Sequence, residues 1–227
     1  MRAMVRFCAG FVLCVAGGNA LAGPDWVELG DAGSFPDGAQ VTVGQGNLGT
    51  ISGTLSEGLS DSDYEDLYFI RVTNPKTFKF DLRHAAFDTQ VFIFEIGGDS
   101  GEGAFGLLGN NDGLLHGSPV MGSLIDGPAN DGSGARIYKP GLYLLAITGF
   151  GRVPMSYEGP IFRFDRPTEI SGPDGYGGDD PLSHWYGRGA VGGYRIELEG
   201  VGFSQVPAPS ALAALGLAGA LLARRRR

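Results

Sequence analysis

Val91-Phe92-Ile93-Phe94-Glu95-Ile96 is apolar at nearly every position, and so are Leu67 to Val72 and Leu142 to Thr148. A strand sends successive side chains to opposite faces, so a run that is apolar on both faces belongs in the middle of a sheet covered on both sides. Outward from these runs the pattern changes to strict alternation. Phe78, Phe80 and Leu82 share one face against Thr77, Lys79 and Asp81; Tyr194, Ile196 and Leu198 share one face against Arg195, Glu197 and Glu199. These two segments are expected to be half-buried strands. Weaker candidates are Thr50 to Leu55, Phe105 to Gly109, Ala135 to Tyr138 and Ile161 to Phe164, which brings the expected count to eight or nine. Glycine, 40 of 227 residues, clusters between these runs in turn-like groups such as Gly97-Gly98-Asp99 and Asn130-Asp131-Gly132. No amphipathic helix of a dozen residues interrupts them. The expected fold is all-β, an antiparallel two-sheet β-sandwich of jelly-roll-like design, with a closed barrel as the alternative.

The two ends read differently from this body. Residues 1–22 carry Arg2 and Arg6, an apolar stretch from Phe7 to about Gly17, and Ala20-Leu21-Ala22 as a small-residue cleavage site, the layout of a secretory signal peptide. Export through the Sec machinery is expected, leaving a folded body over residues 23–205. Cys8 and Cys14 both fall in the segment to be removed, so neither a disulfide scaffold nor a cysteine nucleophile is expected in the body. Its stability must come from an ordinary hydrophobic core, for which 183 residues suffice. Residues 206–227 run from Val206, Pro207, Ala208 and Pro209 through Ser210 and the apolar stretch Ala211 to Ala223 to Arg224, Arg225, Arg226 and Arg227. As a helix, the 18 residues from Val206 to Ala223 would be about 27 Å long, close to a hydrocarbon core of about 30 Å. The arginines would stay cytoplasmic, which implies a transient inner-membrane span with the body outside.

That order of proline motif, short apolar helix and terminal arginine cluster resembles the PEP-CTERM sorting signal of Gram-negative bacteria. The resemblance implies recognition and cleavage by an exosortase-type enzyme and release to the cell surface or into an exopolysaccharide matrix. One position departs from the family pattern: its central glutamate is Ala208 here. The body carries a second resemblance. Gly53-Thr54-Leu55, Asp61-Ser62-Asp63, Asp66-Leu67-Tyr68-Phe69, Phe87 to Phe94, Asn110-Asn111-Asp112, Lys139 to Ala146 and Gly193-Tyr194-Arg195-Ile196 look, in order and spacing from about 48 to 201, like the bacterial pre-peptidase C-terminal domain. That likeness implies a small, accessory, non-catalytic β-sandwich. The chain departs from it in having no protease alongside and in a long insert over residues 149–190.

Charge narrows the class of partner. Six of the 17 basic residues lie in the two terminal segments, so the body holds 11 against 25 acidic residues, a net −14. Such a surface repels nucleic acid and anionic lipid, and it suits a soluble extracellular protein or a calcium binder. Asp61, Asp63 and Asp66 in one turn and Asn110, Asn111 and Asp112 in another supply the hard oxygen donors that calcium takes; Asp88, just before a buried strand, could join them. Turn geometry alone also accounts for such Asx clusters. His84, His116 and His184 lack metal-ligand spacing, no Gly-x-Ser-x-Gly occurs, and Asp179, Asp180 and His184 sit in a glycine-rich loop, so no catalytic residues are assigned. Tyr176, Trp185 and Tyr186, with Tyr157, are aromatics of the kind that stack on sugar rings, or that cap a sandwich end. The resulting expectation is an exported, non-catalytic surface or matrix protein binding exopolysaccharide. A calcium-stabilised binding module and a secreted hydrolase are the alternatives.

Overall fold

The three uniformly apolar runs lie side by side. The computed structural model describes residues 25–58, 62–97 and 103–205. Among them there is no helix, and the signal segment, the sorting tail and Asp61 lie outside them. In chain order the strands are β1 (Asp25–Val27), β2 (Gln40–Val41), β3 (Thr50–Leu55), β4 (Glu65–Val72), β5 (Lys79–Asp81), β6 (Thr89–Gly97), β7 (Gly103–Asn110) and β8 (Gly113–Leu115). There follow β9 (Ser118–Val120), β10 (Leu124–Ile125), β11 (Gly141–Gly149), β12 (Val153–Met155), β13 (Ile170–Ser171), β14 (His184–Tyr186), β15 (Gly192–Glu199) and β16 (Val201–Phe203).

A seven-stranded sheet runs β13-β7-β6-β11-β4-β16, with β2 also on β4, and a five-stranded sheet runs β1-β3-β15-β5-β10. Two short ribbons, β8-β9 and β12-β14, complete the all-β architecture, which has several sheets and is not a barrel, consistent with a β-sandwich. Most pairs are antiparallel, as expected, but β1 joins β3 and β2 joins β4 in parallel. Both parallel strands come from residues 25–41, ahead of the segment in which strands were expected. Ala135 to Tyr138 and Ile161 to Phe164 are not strands; Ile137, Ile161 and Phe162 are nevertheless buried, because they pack onto sheet faces without joining a ladder.

The central runs are covered on both sides by different material. Ile70, Val91, Ile93, Leu145 and Ile147 face a core shared with Ile51, Phe80, Tyr194, Ile196 and Leu198 of the five-stranded sheet. Their alternate neighbours Leu67, Phe92, Phe94, Leu144 and Ala146 face a second core closed by Ile161, Phe162, Leu182 and Trp185. All four closing residues come from the insert. It acts as a lid for the outer face of the seven-stranded sheet, which would otherwise present Phe92 and Phe94 to water. Arg152 clamps it to β4 through a bidentate pair with Glu65, at 2.8 and 3.1 Å, and donates to the Gly187 carbonyl at 2.7 Å. The two ends of the insert meet where Gly149 lies against the Ala190 backbone with no room for a Cβ.

Candidate metal centre

The residues before β3 form a strap along the edge of the five-stranded sheet. Its register is held by β1 on β3, by Glu28 N–H donating to the Ser52 carbonyl at 2.8 Å, and by Gln40. Gln40 Oε1 accepts from Trp26 Nε1 at 2.8 Å and from Leu29 N–H at 3.0 Å. Beyond this anchor the strap turns through Gly30 and Gly33, both left-handed at φ 79° and 68°, and Leu67 N–H donates to the Gly33 carbonyl at 3.1 Å. This path carries Glu28 and Asp31 to the entrance of β4. Asp63 arrives from the other side, its backbone paired reciprocally with Ser56 at 2.9 Å, and Asp66 is the second residue of β4.

Glu28, Asp31, Asp63 and Asp66 thus converge, each offering a carboxylate oxygen within 4.8 Å of all the others. Two oxygens each about 2.4 Å from a calcium ion are at most about 4.8 Å apart, so this spread is what one ion can span. The donor set is purely carboxylate, without histidine or cysteine, which suits a hard cation and not zinc. Asp66 is 0 % exposed; its Oδ2 accepts from the Tyr194 hydroxyl at 2.5 Å, while its Oδ1 is buried with no hydrogen-bond partner. Glu28 Oε2 accepts from Thr54 N–H at 2.9 Å, and Asp31 Oδ1 from Gly33 N–H at 2.7 Å, which aims both carboxylates.

The electrostatics follow from crowding. Burial, reinforced by Asp31, Glu28 and Glu65, pushes the Asp63 carboxyl up to about 7. Burial pushes Asp66 up to about 8 against the opposing Tyr194 hydrogen bond, with Asp63, Glu28 and Asp31 adding to the rise. Burial also raises Glu28, and it raises Tyr68 and Tyr194, which the Asp66 carboxylate disfavours further as phenolates. Asp81 shows the contrast. It too is buried, yet Arg83 and Lys79 hold it down to about 2, because it has cations beside it and, among the described residues, the four-acid cluster has none.

The expected acidic residues are divided between two places. Asp63 and Asp66 enter the cluster; Glu28 and Asp31 were not expected, and only the parallel docking of the strap reveals them. Asp66, Ile147, Val91 and Asn110 lie in one lateral row across β4, β11, β6 and β7, so the Asn110 loop is three strand spacings from Asp66, about 14 Å. The two acidic turns therefore do not form one site. Asn110 is committed elsewhere: its Oδ1 accepts from Leu124 N–H at 2.7 Å, and its amide donates to the Glu169 and Asp112 carbonyls. Asp88, Asn111 and Asp112 lie at the same end of the sheet as Asn110.

Among the expected sugar-stacking residues, Trp185 is corrected. It is 7 % exposed, donates its indole N–H to the Ser34 carbonyl at 2.7 Å, and meets Phe94 edge-on at 6.5 Å and Phe92 at 6.0 Å. An apolar ring of that size is worth more on Phe92 and Phe94 than in water. Tyr176 and Tyr157, by contrast, are 95 % and 91 % exposed, and Tyr186 is exposed on β14. His184 Nδ1 lies 2.9 Å from Ser183 Oγ, and among the described residues no carboxylate pairs with it. The chain matches no protein-family model and no curated protein.

Proposed function

We propose that this chain is an exported, non-catalytic β-sandwich protein of a bacterial surface or extracellular matrix, whose fold is stapled by a calcium ion held between Glu28, Asp31, Asp63 and Asp66. The observation that carries the calcium reading is the convergence of four carboxylates, with no cation beside them among the described residues and with one fully buried oxygen, Asp66 Oδ1, unpartnered. Calcium would supply the missing charge and bond that oxygen. It would also tie the strap to the β4 entrance, so that binding energy becomes folding energy. The finer architecture, two sheets packed as a jelly-roll-like sandwich, belongs to this reading, as does its likeness to the pre-peptidase C-terminal domain.

The address rests on sequence. The signal-like start, the PEP-CTERM-like tail and the cysteine-free, acidic body favour export by the Sec machinery and exosortase-type processing at the inner membrane. Exposed Tyr157 and Tyr176 on the insert favour exopolysaccharide as the partner.

Mass spectrometry of both ends of the secreted protein tests the address: a start near Gly23 and loss of Arg224 to Arg227 are expected, and an intact Arg227 on the exported form overturns the sorting reading. Calcium addition to chelator-treated protein is expected to raise the melting temperature, and Asp66→Asn to abolish that rise. An unchanged transition overturns the staple.

A further inference from the structure

We propose that Asp88, Asn111 and Asp112 form a second calcium site, separate from the four-carboxylate cluster and at the same end of the seven-stranded sheet. Asp88 immediately precedes β6, and Asn111 and Asp112 immediately follow β7, its antiparallel partner. Val91 is opposite Asn110, so continuing the register by one residue sets Asn111 beside Gln90. Val91 points into the inter-sheet core, and Asn110 bonds inward to Leu124. Alternation therefore sends Gln90 to the opposite face, under the insert; Asp88 lies two residues before it and Asn111 beside it, both just past the strand ends, with Asp112 near enough for its charge to act on Asp88. Gln90 confirms that direction, since its Oε1 accepts from Gly151 N–H at 3.1 Å. The strand ends are drawn together by Ser123 Oγ, 2.8 Å from both the Thr89 and the Asn111 carbonyl oxygens.

Two side-chain oxygens in this group, Asp88 Oδ1 and Asn111 Oδ1, are buried without a hydrogen-bond partner, and Asn111 is only 7 % exposed. Of the three such oxygens among the described residues, the third is Asp66 Oδ1 of the first cluster. A buried oxygen left unbonded forfeits its hydration with nothing in return, so a pair of them with no countercharge asks for an electrophile. Burial raises both Asp88 and Asp112, and the Asp112 carboxylate raises Asp88 further. Among the described residues neither acid forms an ion pair, and Arg152, on the loop above, is engaged by Glu65. Two carboxylates and an amide carbonyl form an oxygen-only, irregular donor set. Calcium completes such a set with water and backbone carbonyls; zinc and copper prefer nitrogen and sulfur. With three side-chain donors this site is the weaker of the two.

The competing arrangement is an inverted Asn111 amide, which puts an N–H donor where the unpartnered oxygen now stands and needs no ion. Calorimetric titration of the secreted protein with calcium decides between them. Two ions per chain are expected, with Asp88→Asn and Asp112→Asn each removing only the weaker and Asp63→Asn only the tighter. A stoichiometry of one that survives Asp88→Asn overturns the second site and leaves the first; a stoichiometry of one that Asp88→Asn abolishes and Asp63→Asn leaves intact overturns the first and leaves the second. On the unaltered protein, the Asn111 side-chain amide resonance is expected to shift as the second equivalent is added. A resonance unmoved at saturating calcium overturns the proposal even if a variant fails to fold.

Discussion

The Tyr194 hydroxyl donates to Asp66 Oδ2 across 2.5 Å, and the two residues belong to different sheets. The same hydroxyl lies 2.6 Å from that of Tyr68, so a chain of three polar groups runs from the core to the acid cluster. This bond fixes the Asp66 carboxylate with one oxygen satisfied and the other buried without a hydrogen-bond partner. The inter-sheet packing and the candidate ion site therefore share a residue.

Stability without metal is expected to fall as pH rises. Asp63 and Asp66 ionise near 4 in the unfolded chain and near 7 and 8 in the folded one, so between pH 4 and 8 the folded state holds the extra protons. Unfolding free energy then decreases with pH across that window. A loss of roughly 5–10 °C in melting temperature between pH 5 and pH 8 in chelator is expected by scanning calorimetry, with calcium restoring most of it at pH 8. A metal-free protein that grows more stable over this range would contradict the cluster's crowding.

Gly53→Ala probes the same place by size. A Cβ at Gly53 would overlap the Tyr194 hydroxyl, which holds Asp66, and the Glu28 carboxylate, a member of the cluster. Denaturant unfolding is expected to show a loss of about 2–3 kcal/mol, and calorimetry a calcium affinity at least tenfold weaker.

Trp185→Ala and Tyr176→Ala should separate structure from surface. Trp185 closes the second core against Phe92 and Phe94, so its truncation is expected to cost about 3–5 kcal/mol. Tyr176 projects into solvent, and its truncation should change stability by less than about 0.5 kcal/mol. Retention on the host's exopolysaccharide is expected to fall for Tyr176→Ala at unchanged melting temperature. Equal retention by the two proteins would remove Tyr176 from the partner surface.

Arg152→Ala leaves Glu65, 5 % exposed, without its cation. The loss is expected to be about 3 kcal/mol, with amide exchange accelerating first in residues 149–190, because Arg152 joins the insert to β4. Exchange that accelerates uniformly would mean the insert does not open by itself.

Local periodicity carried much of this information. Val91–Ile96 and its two companions announced strands buried on both faces, and Tyr194, Ile196 and Leu198 announced their inward face, because alternation is a property of neighbouring residues. Asp63 and Asp66 stood out as a short acidic run. What covers the outer face was not legible: Ile161, Phe162, Leu182 and Trp185 follow no period, since they pack individually from irregular backbone. Asn110 looked like a ligand and proved to be a brace, a distinction that depends on Leu124 and Glu169, far along the chain.

By itself, then, the order of amino acids determined the strand class, the buried faces and the acidic, cysteine-free character of the body, all of which depend on residues a few positions apart. Only the tertiary structure decided that Glu28 and Asp31 join Asp63 and Asp66. The reason is physical: a parallel pairing such as β1 on β3 brings together segments some 25 residues apart, and no local rule of spacing records where such a strap will dock.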